Sequence, residues 1–151
     1  MKGRLTAKRK PLGAFFTPLQ WARWVVTQNS LFEKWIDGAV VLDPTAGEGS
    51  FLEAFLAIAA DRHVPVTGEM LTRLIGIEKE KKFVQNFFLK MHRLYRVDFP
   101  RQNFKREDYI LSNDPTKANI VVGNPPWRNF NDLPPGYKET LKPYYFRYHL
   151  I

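Results

Sequence analysis

Short apolar runs alternate with longer stretches of helical periodicity along this chain. Residues 50–60 are apolar almost all round, and the apolar positions of 80–94 recur at the spacing of an amphipathic helix. Short apolar runs predict strands at 39–42, 74–77 and 119–123. We predict a further strand at 103–109. Because strands and helices alternate, we expect a parallel α/β sheet.

Two capping boxes predict helices ahead of the first strand. Thr17 and Gln20 form one box around Pro18, and Ser30 forms the other with Glu33. A side-chain oxygen at the start of such a box accepts from backbone N–H groups that the first helical turn leaves without partners. We therefore predict an N-terminal helical extension to the sheet.

The composition favours a folded chain with a polyanionic partner. Lys and Arg number 23 against 15 Asp and Glu, a net charge of +8, and 44% of the residues are hydrophobic. The absence of cysteine excludes disulfides, thiolate metal sites and cysteine nucleophiles. No metal site is predicted. No apolar run approaches the ~20 residues of a membrane span, and 1–10 does not resemble a signal peptide. We expect a soluble, cytoplasmic protein with no membrane partner.

Residues 1–12 form a basic arm with little apolar content. Lys8, Arg9 and Lys10 are its densest cluster, and we interpret them as candidate contacts to DNA phosphates. A solvated tail without a partner is an equally good interpretation of the same residues.

A glycine loop follows the first predicted strand. Gly47 and Gly49 let the backbone approach a ligand closely, but no third glycine completes a dinucleotide fingerprint. Asp43 and Glu48 make the loop acidic, which disfavours a pyrophosphate and favours a cationic or neutral ligand. A tight strand-to-helix turn without any ligand remains open.

Two further carboxylates lie at the ends of the next two predicted strands. Glu78 is suited to accept hydrogen bonds from the two hydroxyls of a ribose, and Asp108 from an adenine amino group. Each one alone is also explained as a surface carboxylate. Together with Asp43 they are expected to meet in one crevice, because the carboxyl ends of parallel strands share one edge of the sheet.

The run Asn124-Pro125-Pro126-Trp127 follows the last predicted strand. Its two prolines remove backbone donors, so the segment offers carbonyl acceptors beside the Asn124 amide and the flat indole of Trp127. A planar heteroaromatic amine fits such a pocket, with its N–H groups on the acceptors and its ring on the indole. The alternative is a strand terminator followed by a core tryptophan.

At these residues the chain resembles the gamma class of N6-adenine DNA methyltransferases, which includes the modification units of restriction–modification systems. The resemblance spans 13–127. It rests on an ordered set of stretches: Phe15-Phe16-Thr17-Pro18, Asp43-Pro44-Thr45-Ala46-Gly47-Glu48-Gly49-Ser50-Phe51-Leu52, Glu78, Asp108 and Asn124-Pro125-Pro126-Trp127.

The resemblance implies a Rossmann-like sheet that binds S-adenosylmethionine and methylates the N6 amino group of adenine in DNA. Thr17 and the turn after Asp43 would hold the methionine moiety, and Trp127 would stack on the flipped base. The implied catalytic residues are Asn124, Pro125, Pro126 and Trp127. The implied cofactor-binding residues are Thr17, Asp43, Thr45, Ala46, Gly47, Gly49, Glu78, Asp108 and Asn124.

Other functions stay open beside this one. The Asn-Pro-Pro-aromatic motif also occurs in methyltransferases of RNA bases and of protein glutamine. A catalytically silent DNA-binding or scaffold subunit of a restriction complex is a further alternative. Cytosine-C5 methylation is disfavoured by the absence of cysteine, whereas cytosine-N4 methylation remains compatible.

The resemblance also implies a longer sheet than the one predicted. That family has seven strands, whereas only four are predicted here, and no regular element is predicted after Trp127. We expect 13–151 to be the N-terminal part of a catalytic domain, completed by the rest of the same polypeptide or by another restriction–modification subunit. Activity is accordingly expected of the complete protein rather than of the isolated chain.

Overall fold

The computed structural model describes residues 16–112, 116–127 and 130–147. The whole predicted basic arm, residues 1–12 with Lys8, Arg9 and Lys10, lies outside the described part of the chain, as does Phe15. The described residues form two compact units, 16–125 and 126–147. The boundary between the units falls inside the Asn124-Pro125-Pro126-Trp127 run.

The first unit contains a four-stranded, all-parallel sheet, which confirms the predicted α/β class. Its strands are β1 Val41–Asp43, β2 Leu74–Glu78, β3 Phe104–Arg106 and β4 Ile120–Val121; β2 is one residue longer than predicted, and the other three are shorter. Leu42 of β1 is in register with Ile75 on one side and with Val121 on the other.

The order of the strands is β3-β2-β1-β4. The chain adds β2 and β3 on one side of β1 and then returns to place β4 on the opposite side. The carboxyl ends of β1 and β4 therefore flank the point at which the winding direction reverses. Open α/β sheets bind ligands at such points.

Five helices belong to this unit: α1 Leu19–Gln28, α2 Leu31–Ile36, α3 Ser50–Asp61, α4 Gly68–Thr72 and α5 Lys81–Lys90. A π-turn, Met91–Tyr95, continues α5, and a short 3₁₀ turn, Arg101–Asn103, precedes β3. Helix α3 packs against α1, and its residues from Phe51 to Ala59 are all buried, as its continuous apolar pattern predicts. The core between helices and sheet centres on fully buried Trp35, Phe55 and Phe87.

Both predicted capping boxes are wrong. Helix α1 begins after Pro18 without a side-chain cap, and the Thr17 hydroxyl instead accepts from Asn124. Ser30 precedes α2 in the left-handed region (φ 51°) and makes no capping bond, because a capping side chain needs an extended backbone there. Glu33 accepts from Arg62 at 2.6 Å, so a tertiary ion pair replaces the predicted local bond.

Close packing of phenylalanines fixes α5 against the sheet. The rings of Phe87 and Phe104 stack with centroids 3.9 Å apart. Gly49, with φ at 77°, and Gly76 make room for them: a Cβ on Gly76 would lie 2.6 Å from Phe104, and one on Gly49 would overlap Phe87. Glycine at position 49 of the loop is therefore required by packing against Phe87, whether or not a ligand binds.

The second unit contains the 3₁₀ turn Phe130–Asp132 and helix α6 Pro135–Arg147, neither of which was predicted. Pro135 suits the first helical position, but Pro143 lies inside the helix, where a proline usually signals its end. Lys138 bridges the two elements by donating to the Asn131 carbonyl at 2.6 Å. Nowhere in the described chain is a helix both long enough and apolar enough to cross a bilayer.

We predict that Gly49→Ala destabilises the fold by about 3 kcal/mol, because the added methyl group overlaps Phe87 and the backbone is left-handed. Gly68→Ala is the matched control. Nothing lies within 4 Å of a Cβ there, so this substitution should be neutral or slightly stabilising. Urea unfolding followed by circular dichroism measures both, and equal stability of the two variants would contradict the packing argument.

Candidate functional site

Asp43 lies at the carboxyl end of β1 and is 1% exposed. Its Oδ1 accepts from the backbone N–H of Thr45 at 3.1 Å. The chain leaving β4 passes directly beside it, since a Cβ on Gly123 would lie 2.7 Å from Asp43 Oδ1. At the point where the winding of the sheet reverses, the segments that follow β1 and β4 therefore both pack against the Asp43 carboxyl group.

Burial raises the pKa of Asp43 to about 7. The hydrogen bond from the Thr45 N–H opposes this shift, whereas the negative charge of Glu78 adds to it. A cation beside Asp43 would reverse the effect, because it favours the ionised carboxylate. The site therefore holds a carboxyl group whose charge depends on what binds there.

The glycine loop is held on two sides. The Gly47 N–H donates to Glu78 Oε2 at 2.7 Å, and the Ala46 N–H donates to the Ile77 carbonyl at 2.9 Å. On the other side, a Cβ on Gly47 would lie 3.1 Å from the ring of Phe16, which itself meets Phe83 edge to face. The predicted Phe-Thr-Pro stretch and the glycine loop are thereby brought together.

Glu78 and Asp108 both accept hydrogen bonds from protein groups. The second oxygen of Glu78, Oε1, accepts from the Glu80 N–H at 2.7 Å. Asp108 lies in the loop after β3 rather than at its last residue, because that strand already ends at Arg106. Its Oδ2 pairs with Lys79 at 2.9 Å, and its Oδ1 accepts from the Ile110 N–H at 3.2 Å.

Glu48 of the glycine loop contacts helix α5. Its Oε1 accepts from Asn86 of α5 at 2.9 Å. Its backbone carbonyl accepts from Lys90 at 2.8 Å, and Lys90 also forms an ion pair with buried Glu53. The expectation that Glu48 makes the binding face acidic stays a prediction.

Two motifs that are far apart in the sequence meet at Thr17 and Asn124. The Asn124 Nδ2 donates to the Thr17 hydroxyl at 3.3 Å, across 107 positions of the chain. Thr45 lies close to the same segment, since a Cβ on Gly123 would lie 3.4 Å from its Oγ1. This Oγ1 is buried, and within the described residues it has no hydrogen-bond partner.

The Asn-Pro-Pro-Trp run is divided between the two units. Asn124 and Pro125 belong to the first unit, whereas Pro126 and Trp127 belong to the second. Trp127 is 76% exposed, so the alternative that treats it as a core residue is wrong.

Sequence reasoning missed the groups that hold these site residues. Gly123 is needed for close packing on Asp43, and Lys79 pairs with Asp108. Each directly adjoins a predicted site residue in the sequence, which is the signal that was available. Asn86 and Lys90 carried no such signal, because they reach Glu48 only through the fold.

Neither the models of known protein families nor the curated proteins give a match to this sequence. In the described residues, no three His, Asp or Glu side chains come together as metal ligands. The interpretation of the site therefore depends on its own geometry.

We predict a pH-dependent stability that originates at Asp43. Its folded-state pKa is about 7, whereas an aspartate in an unfolded chain titrates near pH ~3.9. The folded state binds the proton more tightly, so the stabilisation is complete below pH ~4 and is lost as the pH rises through 7. Relative to Asp43→Asn, wild-type stability should fall by about 4 kcal/mol between pH ~4 and ~8.

Denaturant unfolding at a series of pH values measures this difference. Asp37→Asn, at an exposed position after α2, is the control and should keep the wild-type pH dependence. Parallel curves for wild type and Asp43→Asn would show that Asp43 titrates as an ordinary carboxyl group.

Proposed function

We propose that this chain carries the cofactor-binding half of an S-adenosylmethionine-dependent methyltransferase that acts on the N6 amino group of adenine in DNA, within a restriction–modification system. The observation that carries the proposal is the hydrogen bond between Asn124 and Thr17, formed beside buried Asp43 and Thr45 at the reversal point of the sheet. The hydrogen-bond acceptors of Asn124 and Pro125 thereby lie at the same site as the buried acid Asp43.

The order of the strands supports the proposal. The order β3-β2-β1-β4 is that of the first four strands in a doubly wound nucleotide-binding sheet. We assign it to a Rossmann-like methyltransferase sheet that is completed on the β4 side. In β4, Val121 is 65% exposed, and among the described residues only β1 pairs with this strand. A further strand would cover this edge.

The residues at the strand ends fit S-adenosylmethionine. Each oxygen of Glu78 accepts one backbone N–H, and a carboxylate oxygen has a second lone pair to offer a ribose hydroxyl. The buried Thr45 hydroxyl offers an orphaned polar group to the methionine moiety. The pKa of Asp43 is about 7, so a cationic ligand would favour its ionised form. Asp108 is the candidate that binds the adenine ring.

The cofactor, when bound, supplies an electrophilic methyl group. The chain's contribution is to prepare the amine, whose lone pair is delocalised into the adenine ring. Acceptors at the Asn124 side chain and the Pro125 carbonyl draw its two N–H groups out of the ring plane and favour a tetrahedral, nucleophilic nitrogen. The bond from Asn124 to Thr17 orients the amide for this role. Catalysis then comes from positioning and electrostatics, with no covalent intermediate.

Pro126 and Trp127 follow Asn124 and Pro125 in the sequence, and we assign them to the same motif on that ground alone. Neither proline can donate a backbone hydrogen bond, so the run does not compete with the amine for acceptors. The exposed indole of Trp127 offers a stacking face to a base that has left its helix.

We predict that Asn124→Ala lowers the single-turnover rate of methylation by about 100-fold or more, because it removes an acceptor that acts in the transition state. Cofactor affinity, measured by calorimetry, should change much less. Asn29→Ala removes an exposed asparagine after α1 and is the control. The assay uses the complete protein with DNA, RNA and protein substrates. Methyl transfer to RNA alone, or to protein alone, would show that DNA is not the substrate. A wild-type rate in Asn124→Ala would show that Asn124 does not act as an acceptor in the reaction.

A second prediction concerns Thr17. Thr17→Val keeps the shape of the side chain but removes the hydroxyl that accepts from Asn124, so turnover should fall on the order of 10-fold. Thr17→Ser keeps the hydroxyl and should stay close to the wild-type rate. Equal rates in both variants would show that the hydrogen bond does not position Asn124.

A further inference from the structure

Positive charge is dense in one stretch of the first unit. Residues 79–106 contain nine Lys and Arg against two Asp and Glu, in a chain with a net charge of +8. It includes α5, the π-turn, the 3₁₀ turn and β3, one edge of the described sheet. Six exposed cations of this stretch form what we call the α5–β3 basic surface: Lys81, Lys82, Arg93, Arg96, Arg101 and Arg106.

These cations differ from the other arginines of the unit, and from the lysines near the site, by their lack of acidic partners among the described residues. Carboxylates of the same unit neutralise the remaining arginines and the lysines near the site, in the pairs Arg23–Asp61, Arg62–Glu33, Arg73–Glu69, Lys79–Asp108 and Lys90–Glu53. Within the described part of the chain, no carboxylate pairs with any residue of the basic surface. An uncompensated cluster of this kind creates a positive potential that attracts a polyanion.

The fold places these residues along one flank. Lys81 and Lys82 begin α5, and Arg93 follows its last turn, roughly 18 Å further along at 1.5 Å per residue. Arg101 lies over the ring of Phe88 of α5, 5.3 Å from its centroid. Arg106 shares a face of β3 with Phe104, whose ring stacks on α5, because alternate residues of a strand lie on the same face.

The stretch also contains two acidic residues. Glu80 precedes α5, and its backbone N–H binds the Glu78 carboxylate. Asp98 lies beside His92 at 3.1 Å. The flank begins three residues after Glu78, at the edge of the candidate site, and leads away from it along α5.

We propose that the α5–β3 basic surface binds the phosphate backbone of the DNA duplex that leads away from the target base. This inference rests on the proposed DNA substrate and adds a second contact surface to it, distinct from the strand-end crevice. Flexible lysine and arginine side chains on a helix flank contact phosphates without reading bases, so the surface contributes affinity and not sequence specificity.

The test compares two variants of the complete protein that lose the same charge. Lys81→Gln, Lys82→Gln, Arg93→Gln and Arg106→Gln are combined in one variant. Lys34→Gln, Arg62→Gln, Lys117→Gln and Lys142→Gln are combined in the control, all at exposed positions on other segments. Binding of duplex DNA at a series of salt concentrations gives the slope of log K against log[salt]. The first variant should lower this slope by about 3 units, whereas the control should change it by less than about 1 unit.

An equal loss of slope in both variants would show a response to net charge alone and would overturn the proposal, as would an unchanged slope in the first variant. Tighter, more salt-dependent binding of duplex RNA than of duplex DNA would also overturn it.

The single-turnover rate at saturating DNA separates this proposal from the proposed function. It should be the same in the first variant as in wild type, because the site residues are intact. If wild type methylates DNA but the slope is unchanged in the variant, only the surface is wrong. If wild type methylates no DNA but the slope falls, only the proposed function is wrong.

Discussion

The carboxylate of Glu78 is the contact on which the strand-end site depends. One of its oxygens accepts from Gly47 and the other from Glu80, so a single side chain ties the glycine loop to the turn between β2 and α5. Its negative charge also helps to raise the pKa of Asp43. The shape of the loop and the charge state of the deepest acid are therefore set together, and a ligand that engages Glu78 would act on both.

Helix α5 supports the same loop from behind. Lys90 donates to the Glu48 carbonyl while paired with Glu53, and Tyr95 of the π-turn donates to the other oxygen of Glu53 at 3.1 Å. Burial, followed by the charge of Glu53, raises the pKa of Tyr95, which keeps its hydroxyl protonated as a donor. A buried ion pair contributes little net stability, but a fully bonded one fixes geometry. Held on both sides, the loop presents its backbone to a ligand without having to reorganise.

Local sequence patterns predicted the strands and helices whose formation depends on neighbouring residues. Apolar runs located β1, β2 and β4, a continuous apolar stretch located α3, and helical periodicity located α5. The prediction failed where tertiary partners decide: Thr17 accepts from Asn124 instead of capping α1, and Pro143 lies inside α6. Parallel topology alone predicted that Asp43 and Glu78 lie close enough for their charges to interact. The partners of the acids were not predictable in the same way, because Gly47 reaches Glu78, and Lys79 reaches Asp108, only once the chain has folded.

Acidic and basic side chains lie on neighbouring surfaces of this unit. This separation is compatible with the two proposed ligands, a cation and a polyanion. The crevice at the strand ends contains Asp43 and Glu78 beside backbone groups, which suits a ligand that carries positive charge. The adjoining flank of α5 carries cations without acidic partners among the described residues, which suits a polyanion. If the two sets were mixed, each would neutralise the other and neither ligand would be attracted. Pairing Lys79 with Asp108 and Lys90 with Glu53 at the border keeps the two fields apart, since these lysines are neutralised where acid and base meet. Under the proposed function, this separation would let one α/β unit bind a cationic methyl donor and an anionic nucleic acid on neighbouring surfaces.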